Sequence, residues 1–229
     1  MMRVLGQIGV LISKDLRIEA RGREAIGLVI VLGVLIVVVL GMGLGASRGT
    51  GQGLTGFEAT AILWVAYLFG GVLCFEKTMA VERSDDALAG LLTAPLDRGA
   101  IYAAKLVTNL VLMFLMAVVV TPVAILLFHF DLSAHPWSFV LVIGLGMIGY
   151  AAVGTLFAAA VSSTRLQGGL LAMLVFPLSL PVVIISTQLM RKVFEEGEPL
   201  SMNAVGALIA FDVIYIVVSW LVFESVLEP

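Results

Sequence analysis

Residues 25–47 read AIGLVIVLGVLIVVVLGMGLGAS, and no charged residue or histidine interrupts this run. A helix needs about 20 predominantly apolar residues to cross the hydrocarbon core of a bilayer. The run is long enough for that, and it lacks the alternation of polar and apolar residues that characterises a membrane β-strand. We therefore predict a transmembrane helix over about 25–45.

Five further apolar runs follow along the chain. Four of them contain no charged residue or histidine, and they cover residues 59–75, 106–128, 136–164 and 166–190. The fifth, 199–223, is interrupted only by Asp212. Because helices satisfy their own backbone hydrogen bonds in lipid, we predict an all-α integral membrane protein. Its six transmembrane helices would form one domain, 1–229, and would cover about 25–45, 59–79, 104–128, 137–161, 167–190 and 203–224.

The composition agrees with a membrane protein. Of the 229 residues, 61% are hydrophobic and 13% are charged, whereas a soluble domain has about 25% charged residues. The net charge of −3 argues against nucleic acid as a partner. The single cysteine, Cys74, excludes an internal disulfide, and we expect it to be a small buried hydrophobic side chain. The first apolar run exceeds the core of a cleavable signal peptide, so we expect it to be retained.

The basic residues predict the orientation. Ten of the 13 fall on one predicted side of the membrane: Arg3, Lys14, Arg17, Arg21, Arg23, Lys77, Arg83, Arg98, Lys105 and Arg165. The other side carries Arg48, Arg191 and Lys192. By the positive-inside rule both termini lie in the cytoplasm, as an even number of spans also requires.

Residues 1–24 form a predicted cytoplasmic amphipathic helix. One face carries the apolar residues Val4, Leu5, Ile8, Ile12 and Leu16, and the opposite face carries Arg3, Gln7, Lys14, Arg17 and Arg21. Such a helix lies in the membrane interface, with its apolar side in lipid. Asp15 and Glu19 interrupt that side, which indicates that part of the helix faces protein. Two interpretations stay open: a membrane-surface anchor, or a helix that also contacts a cytoplasmic partner.

The predicted cytoplasmic loop 80–100 has the pattern of a short helix. Ser84, Asp85 and Asp86 are good N-terminal caps, and they favour the positive end of a helix dipole. A leucine face follows and Pro95 ends the helix, while Asp97 is a candidate cap for the next long helix. The leucines Leu88, Leu91 and Leu92 recur at i, i+3 and i+4.

An exposed leucine face beneath a membrane needs a partner. A groove on a soluble ATPase would accept it, and the segment would then be a coupling helix. The alternative is an interfacial helix that lies on lipid. The candidate ATPase-coupling residues are Glu82, Arg83, Asp85, Asp86, Leu88, Leu91, Leu92, Pro95, Asp97 and Arg98.

Several stretches, in this order, resemble the CcmB family, the membrane permease subunit of the cytochrome c maturation ABC transporter ("haem exporter protein B"). They are KDLRIEARGREA (14–25), ER (82–83), LLTAPLDRGAIY (91–102), Lys105, Asn109, GYAAVGTL (149–156), TR (164–165) and FPLSLP (176–181). The resemblance covers nearly the whole chain and implies an ABC-2-like permease in the bacterial inner membrane.

The resemblance also implies a set of partners. They are an ABC ATPase subunit (CcmA-like), a haem-handling membrane protein (CcmC-like), a small single-span subunit (CcmD-like) and, indirectly, a periplasmic haem chaperone (CcmE-like). The complex would use ATP to export haem or to release the haem-loaded chaperone. Haem would then be a substrate rather than a resident cofactor, and ATP would bind the partner subunit.

The chain has no nucleotide site of its own. The phosphate-binding pattern G-x-x-x-x-G-K-[ST] does not occur, so we expect a transporter subunit rather than an enzyme, with ATP hydrolysis on another polypeptide. Residues 144–149 match G-x-G-x-x-G, but they lie inside an apolar span instead of between a strand and a helix. We expect these glycines, and the G-x-x-x-G pattern of 41–45, to permit close contact between helices.

Some polar and special residues inside or beside the spans are further candidates. Asp212 is an intramembrane carboxylate, which we expect to face the bundle or a cavity, as a functional contact or as a hydrogen-bonded structural group. Pro177 and Pro181 are expected to bend or break the fifth span, and Pro122 lies in the third. His129 and His135 flank an outer loop and are weak candidates for haem contact, since histidine ligates haem iron. Ordinary interfacial residues are the alternative.

Three other functions stay open. The first is an ABC-2-type exporter permease for a drug, a lipid or a glycan, which would share the six spans. The second is a non-transporting assembly scaffold for a haem-handling membrane protein. The third is an ion-coupled secondary transporter that uses Asp212, although the sequence shows no inverted repeat.

Overall fold

The fold is an all-helical bundle. The computed structural model describes residues 2–22, 24–46, 54–84, 98–128, 132, 135–162 and 167–226. Over these ranges it contains helices and no strand. The helices are α1 (Met2–Gly22), α2 (Glu24–Ala46), α3 (Gly56–Ser84), α4 (Arg98–Phe128), α5 (Pro136–Val161), α6 (Gln167–Phe194) and α7 (Met202–Val226).

Six of these helices, α2 to α7, are long and apolar enough to cross a membrane. This confirms the predicted fold class. α5 lies at the centre of the bundle: 72% of its membrane-spanning stretch is buried, against 17% in α7. Large apolar side chains on α2, α4, α6 and α7 remain exposed, as expected of helices that face lipid.

α3 begins three residues before its predicted start, because its first turn is capped. The Glu58 N–H donates to Thr55 Oγ1 at 3.3 Å, and the Thr55 N–H donates to Glu58 Oε2 at 3.1 Å. This reciprocal arrangement is a capping box. A search for uncharged runs stops at Glu58 and therefore misses the turn that Glu58 stabilises.

The ends of α3 and α4 also differ from the predicted loop 80–100. α3 continues to Ser84, and α4 already begins at Arg98. Ser84, predicted to cap the coupling helix, is therefore the last residue of α3. Glutamate and arginine are good helix formers, so α3 continues through Glu82 and Arg83 beyond its apolar stretch. We call this end of the bundle, where α3 ends and α4 begins, the basic end.

Two glycines of α5 let α3 approach closely: Gly146 of the predicted G-x-G-x-x-G pattern, and Gly154 beyond it. A Cβ at Gly146 would collide with the ring of Trp64, and one at Gly154 would collide with the ring of Phe75. Gly144 has only an ordinary contact, 3.8 Å from a phenylalanine ring. The pattern is thus a packing feature, in which Gly146 receives an aromatic ring and Gly149 receives the Asp212 carboxylate.

The second glycine pattern has a similar role between α2 and α4. A Cβ at Gly41 would collide with the ring of Phe128, and one at Gly33 would lie 2.8 Å from Val120. Gly43 faces open space. The close approach therefore uses Gly33 and Gly41, two turns apart on one face of α2.

α6 is continuous through Pro177 and Pro181. Of the two predicted alternatives, bent or broken, a break is therefore wrong. Side chains bond the carbonyls on either side of Pro177: Ser179 Oγ donates to the Phe176 carbonyl at 2.8 Å, and Tyr215 Oη of α7 donates to the Leu178 carbonyl at 2.7 Å. The second bond also ties this part of α6 to α7.

Candidate functional site

The inner face of α1 packs on α4 and carries a buried ion pair. Lys105 Nζ of α4 lies 2.9 Å from Asp15 Oδ2, and the two side chains are only 5% and 6% exposed. Leu11, one turn before Asp15, is buried on the same face. The prediction that Asp15 turns part of this helix toward protein is confirmed. The apolar side of α1 is therefore not simply immersed in lipid.

Lys105 also binds α3, and the polar contacts continue into the bundle. Its Nζ donates to the Thr78 carbonyl at 3.2 Å, and Thr78 Oγ1 donates to Asn109 Oδ1 at 2.9 Å. Asn109 Nδ2 then donates to Thr155 Oγ1 of α5, also at 2.9 Å. All five side chains are buried. We call Asp15, Thr78, Lys105, Asn109 and Thr155 the buried polar network.

The network joins four helices that are far apart in sequence. Asp15 comes from α1, Thr78 from α3, Lys105 and Asn109 from α4, and Thr155 from α5. Lys105 and Asn109 are one turn apart, which places them on one face of α4. Their spacing at the start of an apolar run was the available sequence signal, but no sequence rule names their partners. Sequence analysis therefore missed the network as a site.

α4 is further anchored to α5 and α7 at the basic end. Tyr102 Oη donates to the Ala152 carbonyl of α5 at 3.2 Å. The Tyr102 ring contacts Trp220 and Phe223 of α7, with centroid distances of 6.1 and 5.2 Å. A Cβ at Gly99 would collide with Trp220. The first turns of α4 thus contact α1, α3, α5 and α7.

The predicted ATPase-coupling residues fall mostly outside the described part of the chain. This applies to Asp85, Asp86, Leu88, Leu91, Leu92, Pro95 and Asp97, and to the side chains of Glu82 and Arg83. The backbone of Glu82 and Arg83 lies in the last turn of α3, and Arg98 is the first, half-buried residue of α4. The segment 85–97 is therefore flanked by the two helices that Lys105 connects.

Asp212 faces the bundle, as expected. It lies near the middle of α7, is 4% exposed, and packs against α5 at Gly149, where a Cβ would collide with the carboxylate. Neither carboxylate oxygen has a hydrogen-bond partner among the side chains in the described ranges. Most of the predicted coupling residues lie outside the described part of the chain, so the structure does not relate Asp212 to them.

The predicted haem-contact candidate His135 lies at the opposite end of the bundle. His135 is exposed, and its ring contacts Phe194 edge to face at 5.9 Å. His129, the other weak candidate for haem contact, lies outside the described residues. No three His, Cys, Asp or Glu side chains within the described ranges are placed to hold a metal ion.

Glu195 connects two helices at this opposite end. Its Oε1 accepts a hydrogen bond from the Phe57 N–H at the start of α3, at 3.0 Å. The other charged contacts here are local and exposed. Arg191 lies 3.6 Å from Glu196, and Lys192 lies 3.7 Å from Glu198.

Comparison with known proteins gives one consistent family. The family model described as "CcmB protein" matches residues 7–228. "Heme exporter protein B" of Paracoccus denitrificans is 29% identical over 191 residues, which cover 83% of this chain and 85% of that protein. The protein of the same name from Rhodobacter capsulatus is 29% identical over 182 residues, 80% of this chain and 81% of that protein.

A third relative, "Heme exporter protein B" of Haemophilus influenzae, is 33% identical over 135 residues, 58% of this chain and 60% of that protein. The family match spans α1 to α7, including every helix of the buried polar network. Together with the six spans, it shows that the chain belongs to the CcmB family.

Proposed function

We propose that this chain is the membrane permease subunit of an ABC transporter for cytochrome c biogenesis. It would couple ATP hydrolysis by a separate ATPase subunit to haem export, or to the release of a haem-loaded periplasmic chaperone. The observation that carries the proposal is the family match over 7–228. The relatives' shared name, "Heme exporter protein B", supports haem as the substrate.

The segment between α3 and α4 is the proposed contact with the ATPase. Leu88, Leu91 and Leu92 would be its anchors, and the acidic start at Asp85 and Asp86 would face the partner. Support comes from the leucine spacing, and from the absence of a phosphate-binding loop in this sequence. In this proposal the basic end faces the cytoplasm of a bacterial inner membrane, and both termini lie on that side.

The remaining partners follow from the family. We propose a complex with a haem-handling membrane protein and a small single-span subunit, next to a periplasmic haem chaperone. Six spans also leave room for a second membrane half, which would be another copy or a different protein.

Deletion and complementation test the substrate. Deletion of the gene should abolish haem-stained c-type cytochromes, and the wild-type chain should restore them. An exporter of a drug, a lipid or a glycan would leave cytochrome levels unchanged, and this result would refute the proposal. A non-transporting scaffold would support cytochrome assembly even when the partner ATPase carries an inactivated phosphate-binding loop.

Introduction of charge at the leucine anchors tests the docking segment. The double change Leu88→Asp and Leu91→Asp should release the ATPase on gentle purification, while the membrane fold remains intact. A matched control is Met202→Asp, since Met202 is 80% exposed at the opposite end of the bundle. An ATPase that stays bound to the double variant would show that the docking segment lies elsewhere.

A further inference from the structure

Lys105 occupies an unusual position relative to the proposed docking segment. It lies seven residues after the start of α4, and Thr78 lies six residues before the end of α3. At 1.5 Å per residue both are about 10 Å from the points where segment 85–97 leaves the two helices. Contacts between α3 and α4 at this distance from the segment determine whether a force on the segment moves the two helices together or separately.

The contacts of Lys105 connect these helices to each other and to α1. Its ammonium group lies 2.9 Å from Asp15 Oδ2 of α1 and 3.2 Å from the Thr78 carbonyl of α3. Because the ion pair is buried, solvent and salt screen it much less than they screen a surface pair. One side chain thus connects the first helix of the chain to both helices that flank the docking segment.

Asn109 extends this connection to the centre of the bundle. Its amide accepts from Thr78 and donates to Thr155 of α5, at 2.9 Å in each case. The amide is bonded at both ends, so Asn109 of α4 joins a hydroxyl of α3 to a hydroxyl of α5. A shift of α3 and α4 is therefore transmitted to α5, the most buried span.

We infer that Lys105 is a positioning residue for coupling, which joins α1, α3 and α4 into one unit and, through Asn109, moves α5 with them. This inference rests on the proposed function. It predicts that loss of the Asp15–Lys105 link uncouples the transporter: the ATPase still binds and hydrolyses ATP, but less cytochrome is matured per ATP. A merely structural role predicts that ATPase binding, ATP hydrolysis and cytochrome maturation are lost in parallel.

The test uses the purified complex and intact cells, with the variants Asp15→Asn/Lys105→Met and Lys14→Met. The double variant removes both charges together, which is far less disruptive than leaving one of them buried alone. Lys14 is the matched control. It pairs with the same carboxylate at 3.3 Å, but it is 37% exposed and lies on the same helix as Asp15.

The expected result is an ATPase co-purification and a hydrolysis rate within about twofold of wild type for both variants. Haem-stained cytochrome per ATP hydrolysed should fall at least about fivefold in the double variant only. Wild-type cytochrome output from the double variant would overturn the inference. A wild-type chain that binds no ATPase would instead refute the proposed function.

If the double variant does not fold, a second variant tests transmission through the buried polar network. Thr155→Val keeps the shape of the side chain and removes only the Asn109–Thr155 bond, the last link into α5. It should retain the ATPase and lose cytochrome output, whereas Lys105→Arg, which keeps the cation, should retain both. Wild-type output from Thr155→Val would contradict transmission through this network.

Discussion

The two ends of the bundle use charged residues in different ways. At the basic end, Lys105 and Asp15 form a buried pair between helices that are far apart in sequence, 2.9 Å apart. At the opposite end, Lys192 and Glu198 lie 3.7 Å apart on side chains that are 51% and 56% exposed, around the end of a single helix. Distance and burial, rather than the number of charges, separate a connecting pair from a local one.

The opposite end also shows how α6 stops. Gly197 has a φ of 67°, a left-handed conformation that glycine adopts without strain. The Glu198 N–H then returns to the Lys192 carbonyl at 3.0 Å. The exposed pairs Arg191–Glu196 and Lys192–Glu198 surround a helix end that backbone geometry already closes, so their removal should have little effect on stability.

The largest expected effect is at Lys105. Lys105→Met leaves the buried Asp15 carboxylate with only the partly exposed Lys14, and loss of one partner from a buried pair costs up to about 3–5 kcal/mol. Unfolding by denaturant in mixed micelles should show that loss in the free energy of unfolding. Addition of Asp15→Asn should recover much of it. An unchanged unfolding midpoint in Lys105→Met would show that the Asp15–Lys105 pair contributes no more to stability than an exposed surface pair.

A smaller effect is expected deeper in the network. Asn109→Ala leaves the hydroxyls of Thr78 and Thr155 without this partner, and an unsatisfied buried polar group costs about 1–3 kcal/mol. The same unfolding measurement checks it. Val111→Ala is the control on α4, because Val111 is 41% exposed. Equal losses in the two variants would mean that the amide contributes no more than ordinary packing.

At the opposite end, Glu195→Ala should have an intermediate effect. The variant removes the acceptor for the Phe57 N–H at the start of α3, and loss of a helix cap costs about 1 kcal/mol. Glu196→Ala, which removes only an exposed contact with Arg191, is the matched control. Hydrogen exchange of the first turn of α3 should increase in the first variant and not in the second. Equal exchange would show that the capping box alone holds that turn.

The smallest effect is expected for Lys192→Ala. Exposed pairs contribute at most about 1 kcal/mol, and salt screens them. The unfolding free energy of this variant should therefore differ from that of wild type by less than about 1 kcal/mol, and the difference should vanish at high salt. A loss as large as that of Lys105→Met would remove the contrast between the two ends.

The spans were predictable because apolar length alone defines them. α2, α5 and α7 begin and end within a few residues of the predicted ranges. Errors arose where local chemistry overrides hydropathy. The Glu58 capping box lengthens α3 at its start, and tertiary packing keeps α6 continuous through its prolines. These effects depend on contacts that apolar run length does not contain.

The network was only half predictable. Asp15 interrupts an apolar helix face, and this was enough to predict a protein contact for that face. The identity of the contact was not predictable, because Lys105 is ninety residues further along the chain and looks like an ordinary basic residue near a membrane edge. Pairings of this kind depend on tertiary packing, which periodicity does not encode.

The most direct measurement is the identity of the polypeptides that co-purify with the full-length chain from cells that are making c-type cytochromes. Extraction in mild detergent, followed by mass spectrometry, should find an ATPase in a fixed ratio to this chain. That ATPase should carry the G-x-x-x-x-G-K-[ST] loop which this sequence lacks. A chain that is purified intact from such cells with no ATPase bound would contradict ATP-driven coupling through the basic end.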